Sequence, residues 1–165
     1  TEQDVKIAGL TLEKGTAAIV VVNKWDLVEK DDRTVGGYVK DIQESLKFMD
    51  FAPIIFVSAQ SGQRVSKIFG MVNSVYAQYT KRIGTPELNK TMREIIAANP
   101  PARSQNREVS FSYMTQVSIK PPSFVFFTRQ PKGIHFSYER FLMNRIRESF
   151  GFDQVPLRIL FRQKT

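Results

Sequence analysis

Residues 17–26 read Ala17-Ala18-Ile19-Val20-Val21-Val22-Asn23-Lys24-Trp25-Asp26, an unbroken apolar run that ends in Asn-Lys-x-Asp. Small and branched apolar residues in succession, without alternation, predict a strand covered on both faces, as in a parallel sheet. The polar residues follow where the carboxyl end of that strand lies, and open α/β sheets bind their ligands at that end. A short amide, a long cation and a carboxylate thus reach one crevice together. A second apolar strand, Ile54-Ile55-Phe56-Val57, runs into Ser58-Ala59-Gln60-Ser61-Gly62, with one helix-length segment between the two strands. Two parallel strands ending in two polar loops can share one planar ligand.

The carboxylate of Asp26 suits a ligand that offers two adjacent N–H donors. Guanine does so through its ring N1–H and exocyclic amine; adenine offers no such pair and leaves the carboxylate desolvated and unpaired. Asn23 both donates and accepts, so it can hold a base edge and tie neighbouring loops together. The Lys24 stem can lie flat on a ring while its ammonium stays wet. A plainer reading also stands: Asn23 or Asp26 caps the following helix and Lys24 is merely solvated.

Around these strands the first half alternates regularly. Thr1 to Lys14 predicts a helix capped by Thr1, with Val5, Ala8, Gly9 and Leu12 on one face. Asp26 to Gly37 reads as a polar loop, and Tyr38, Ile42, Leu46 and Met49 mark a second helix. Val65, Ile68, Phe69, Val72, Val75, Tyr76 and Tyr79 mark a third, longer one. The order α-β-α-β-α is half of a doubly wound domain. No Gly-x-x-x-x-Gly-Lys-Ser/Thr and no Asp-x-x-Gly occurs, so the parts that would hold phosphates and magnesium are not in this sequence.

Lys81 to Pro86 reads as a linker. Leu88, Met92, Ile95 and Ile96 then give a helix stopped by Asn99-Pro100-Pro101. A polar loop to Arg107 leads to Val109, Phe111, Tyr113, Thr115 and Val117, which alternate with polar residues as the inward side of a half-buried strand. Ser123 to Thr128 is a second, aromatic-rich strand, suited to an antiparallel pair with the first. Tyr138, Phe141, Leu142, Ile146 and Phe150 lie on one face of a helix that Gly151 ends. Leu157, Ile159 and Phe161 alternate in a last strand. The order α-β-β-α-β makes a small α+β layer, and the two domains are expected at 1–82 and 83–165.

The 165 residues contain no cysteine, so disulfides and thiolate metal sites are excluded. No apolar run approaches membrane-spanning length, and a cytoplasmic protein without a membrane partner is the expectation. Residues 1–80 carry nine Lys/Arg against ten Asp/Glu, whereas residues 81–165 carry fifteen against six. A basic second half suggests a polyanionic partner, and the bland alternative is a solvated basic surface. His135 is the only histidine. Without a cysteine or histidine partner it does not suggest a metal site or a catalytic triad. Trp25 reads as packing beside the pocket, the methionines as core filler, and Phe124, Phe126 and Phe127 as core rather than stacking groups.

The Asn-Lys-x-Asp and Ser-Ala loops resemble the guanine-specificity motifs of the translation-factor-like GTPases. The wider chain resembles the bacterial Der (EngA) GTPases. The residues that carry this second likeness are Ala52-Pro53-Ile54-Ile55-Phe56-Val57-Ser58-Ala59, Gly62-Gln63-Arg64-Val65, Pro121-Pro122-Ser123-Phe124-Val125-Phe126-Phe127, Ser137-Tyr138-Glu139-Arg140-Phe141-Leu142, Phe150-Gly151-Phe152 and Pro156-Leu157-Arg158-Ile159.

The resemblance implies the rear half of a P-loop-type GTPase domain followed by a KH-like domain, within a longer protein acting in assembly of the large ribosomal subunit. It implies GTP or GDP as ligand, with Asp26 reading guanine, Lys24 over the ring, the Ala59 N–H on the guanine oxygen, and Asn23 and Ser58 in support. Mg2+ would be held by residues outside this sequence, and no catalytic residue is expected in it. Upstream GTPase domains of the same polypeptide and the large ribosomal subunit are the implied partners. No Gly-x-x-Gly occurs, which departs from ordinary KH domains. Arg103, Arg107, Arg129, Lys132, Arg158, Arg162 and Lys164 are the candidate phosphate contacts. A docking module for RNA or ribosome, or a scaffold relaying nucleotide state, is the alternative role.

Overall fold

The computed structural model describes residues 1–29, 34–103 and 108–164. The chain is mixed α/β with two small sheets. It forms two compact units, Thr1–Gln78 with Gln154–Pro156, and Tyr79–Asp153 with Leu157–Thr165.

In the first unit, α1 (Glu2–Glu13) opens on the expected capping box between Thr1 and Asp4. β1 (Val20–Val22) pairs in parallel with β2 (Ile54–Phe56), Val21 opposite Ile55. Between them runs α2 (Thr34–Ser45), and α3 (Lys67–Tyr79) follows. The α-β-α-β-α order holds, but β1 is not covered on both faces. None of its residues is buried, and Val21 is 43% exposed. Among the described residues β1 has one strand neighbour, β2. The helix after β1 begins at Thr34, with Gly36 and Gly37 in its first turn, earlier than its apolar residues indicate. On α3 only Val75 is buried; Phe69, Val72 and Tyr76, whose spacing marks the helix, are exposed.

The second unit follows the predicted α-β-β-α-β order. It comprises α4 (Thr85–Ala98), β3 (Phe111–Ser118), β4 (Ser123–Thr128), α5 (Phe136–Phe150) and β5 (Arg158–Gln163). The sheet order is β3-β4-β5, antiparallel and then parallel. β4 is central, which explains its continuous apolar sequence: Phe124, Val125 and Phe126 are buried. Leu88, Met92 and Ile95 of α4 and Leu142, Ile146 and Phe150 of α5 are also buried. Gly151 ends α5 in the left-handed region at φ 69.

The alternation read for β3 is out of phase over most of its length. Met114 and Gln116 are buried, whereas Tyr113 and Val117 are exposed. The ladder shifts register between Phe111 and Tyr113 and again between Gln116 and Ser118. One extra residue in a strand sends every later side chain to the other face. Gln116 can be buried because backbone groups surround it. Its Oε1 accepts from the Ile83 N–H at 2.8 Å, and its Nε2 donates to Lys81 O at 2.8 Å and Ser118 O at 3.2 Å. These bonds fasten residues 81–83, read as a linker, to β3. Asn89 makes a similar clasp from α4, donating to Met114 O and accepting from the Met114 N–H, both at 2.9 Å.

Candidate functional site

The polar loops 23–26 and 58–63 both leave the carboxyl ends of the parallel pair. The backbone ladder runs on past the strands: the Val57 N–H donates to Val22 O at 2.8 Å and the Trp25 N–H to Val57 O at 3.1 Å. Asn23 then joins the loops. Its Oδ1 accepts from the Lys24 N–H at 2.8 Å and from the Ala59 N–H at 3.0 Å. The helix-capping alternative fails for this asparagine, since a 3-10 turn at Trp25–Leu27 follows and α2 begins at Thr34.

Lys24 adopts φ 60, ψ 32, in the left-handed region. A residue with a Cβ is uncommon there, and the Asn23 bond to its N–H supports the turn. The turn presents Lys24 and Asp26 as exposed side chains. Among the described residues the Asp26 carboxylate takes part in no ion pair. Trp25, between them, is 2% exposed, with Phe56 at 4.4 Å and Tyr38 at 5.4 Å between ring centroids, as a packing residue.

Ser58 is fully buried and shapes the second loop. Its N–H donates to Gln63 O at 3.1 Å, and its Oγ accepts from the Ser61 N–H at 3.2 Å. Gly62 turns the loop at φ 76. Gln63 and Ser61, which lie in the quoted loop motifs but carry no predicted role, are the loop's supports. An exposed carboxylate, an exposed lysine and a loop backbone fixed by Asn23 and Ser58 are groups that could meet the edge and face of a planar base. The Ala59 N–H that resemblance assigns to the guanine oxygen is held by Asn23 in this structure. Among the described residues no group of three or more His, Cys, Asp or Glu could hold a metal ion.

The basic candidates of the second unit do not form one cluster. Arg129, Lys132, Arg158, Arg162 and Lys164 are all exposed. The Lys164 N–H donates to Thr128 O at 3.1 Å, which sets Lys164 beside Arg129 at one end of the sheet. Arg158 lies at the other end of β5, opposite Ser123. Arg103 pairs with Glu108 at 3.5 Å and lines a cavity of about 410 Å³ with His135, Ser137 and Tyr138. Arg107 lies outside the described residues. His135 caps α5, its Nδ1 accepting from the Ser137 N–H at 3.3 Å. The Tyr138 hydroxyl donates to Asn99 O at 2.8 Å, and burial pushes its pKa up to about 12. Among the described residues no helix is long and apolar enough to cross a membrane.

The α-β-β-α-β arrangement defines the second unit as a KH-like domain, and a family described as "KH-domain-like of EngA bacterial GTPase enzymes, C-terminal" matches residues 82–162. The chain is 51% identical over 162 residues to a protein named GTPase Der from Geobacter metallireducens, covering 98% of this chain and 37% of the relative. GTPase Der of Moorella thermoacetica is 48% identical over 163 residues, covering 99% and 37%, and that of Citrifermentans bemidjiense 50% identical over 162 residues, covering 98% and 37%. The chain belongs to the Der (EngA) GTPase family and corresponds to its C-terminal part. It spans 37% of the length of these relatives.

Proposed function

We propose that this chain is the guanine-reading side of a GTP-binding, GTP-hydrolysing factor, joined to a basic KH-like domain that docks on the large ribosomal subunit during its assembly. The observation that carries the first part is the double acceptor role of Asn23, which fixes the two loops with Asp26 and Lys24 exposed above them. In this reading residues 1–82 are the rear half of a doubly wound domain. The exposed Val21, Phe69 and Val72 are the surface that further strands and helices would cover. When bound, the nucleotide supplies the phosphates whose hydrolysis drives the switch, and this chain's residues select and orient the base. The docking reading draws on the charge split, fifteen Lys/Arg against six Asp/Glu in residues 81–165.

The test of the first part is Asp26→Asn in the full polypeptide. An amide both donates and accepts, matching xanthine, where the carboxylate only accepts. Preference should move from GTP toward XTP, with GTP weakened about 10-fold or more, the scale of a lost hydrogen bond to a charged group. An unchanged GTP-over-XTP preference removes Asp26 from the role.

A further inference from the structure

We propose that the Tyr113–Phe127–Arg162 end of the β3-β4-β5 sheet is a stacking platform for single-stranded RNA. This rests on the docking role proposed above for the basic unit and names the face that carries it. One row crosses all three strands: Tyr113 is the register partner of Phe127, and Phe127 of Arg162. Register partners share a face of the sheet. The Tyr113 and Phe127 rings stack with centroids 4.2 Å apart and planes 16° apart. Tyr113 is 41% exposed and Phe127 half-buried; in the neighbouring row Leu160, at the β5 edge, is 44% exposed while its central partner Val125 is buried, so the exposed part of this face is its Tyr113–Arg162 end and its β5 edge. The opposite face is core, with Met114, Phe124, Phe126 and Ile159 buried.

The charged residues of the three strands have one sign. None of the three strands contains an aspartate or glutamate. Arg162 is exposed in the aromatic row, and Arg129 and Lys164 stand at the adjoining end of the sheet. An exposed ring backed by a second, half-buried one and bordered by cations, with no carboxylate in the strands themselves, complements a polyanion that carries flat bases. Bases stack on aromatic side chains, and the intervening phosphates meet the cations. Duplex RNA hides its base faces inside the helix, so this platform favours single strands. This sheet-face binding needs no Gly-x-x-Gly loop.

Binding of the full chain to fluorescein-labelled oligouridylate, and to a labelled RNA duplex of the same length, can be followed by anisotropy across a salt series. The platform predicts tighter binding of the single strand. Tyr113→Ala should weaken it about 5- to 100-fold, the range for loss of one stacked base, and Tyr113→Trp should retain it. Arg162→Ala should weaken it and lower the slope of log K against log salt by about 0.7, one phosphate on a single strand. Thermal melts establish that each variant is folded. Should Tyr113→Ala not fold, Leu160→Asp places a carboxylate at an exposed position of the same face and should abolish binding. Folded Tyr113→Ala and Arg162→Ala chains that bind like the parent overturn the sheet face and leave docking to the other cations. A duplex bound as tightly as the single strand overturns stacking. A parent chain that binds neither RNA overturns both the platform and RNA docking.

Discussion

At the scale of single residues, the candidate site trades conformational ease for placement. Lys24 sits at φ 60. A β-branched side chain is most strained there, and glycine least. Lys24→Val should destabilise the chain by about 1–2 kcal/mol, whereas Lys24→Gly should stay within about 1 kcal/mol of the parent. Thermal melts of the two variants compare them directly, and equal losses would show that the left-handed turn is not a constraint. Tyr138 offers a test by pH. Its hydroxyl bonds to Asn99 O, and burial raises its pKa from 10.0 to about 12. The folded chain then keeps a proton that the unfolded chain releases. The contribution is therefore complete below pH 10.0 and is lost as pH rises toward 12. Tyr138→Phe should cost about 1 kcal/mol at neutral pH for the hydrogen bond. The gap between parent and variant in urea unfolding should narrow over that alkaline window. A gap that widens there contradicts the assignment.

At the scale of elements, long periodic segments were legible and short or irregular ones were not. α4 and α5 follow their apolar spacing because each packs one face on a sheet. The loop pair was legible because strand pattern and motif coincide at Asn23 and Ser58. β3 was misphased since a register shift leaves no mark in an alternating sequence, and a buried glutamine looks like a surface residue until its backbone partners are known. β1 read as covered because apolar runs report what a surface is suited to contact rather than what lies on it. Gln116 makes the sharpest prediction at this scale. Gln116→Leu keeps the volume but strips the partner from the Ile83 N–H and Lys81 O. Urea unfolding should show a loss of about 1–3 kcal/mol, as for orphaned buried polar groups. A change within 0.5 kcal/mol, the ordinary range of surface substitutions, would mean that residues 81–83 are not held through this side chain.

At the scale of the whole molecule, two units of different chemistry share one chain. The first is near charge balance and presents a base-sized amide, cation and carboxylate on fixed loops. The second is strongly basic and KH-like. The family's name covers the first chemistry, and the charge supports the second. The whole account turns on whether Asp26 reads the exocyclic amine of guanine. The most direct measurement is the affinity of the full polypeptide for GDP and for IDP, whose hypoxanthine lacks that amine, in the parent and in Asp26→Ala. The parent should prefer GDP by about 10-fold or more, as for a hydrogen bond to a charged acceptor. The ratio should fall close to one in Asp26→Ala. A GDP-over-IDP ratio that is the same in both proteins would contradict the guanine-reading site.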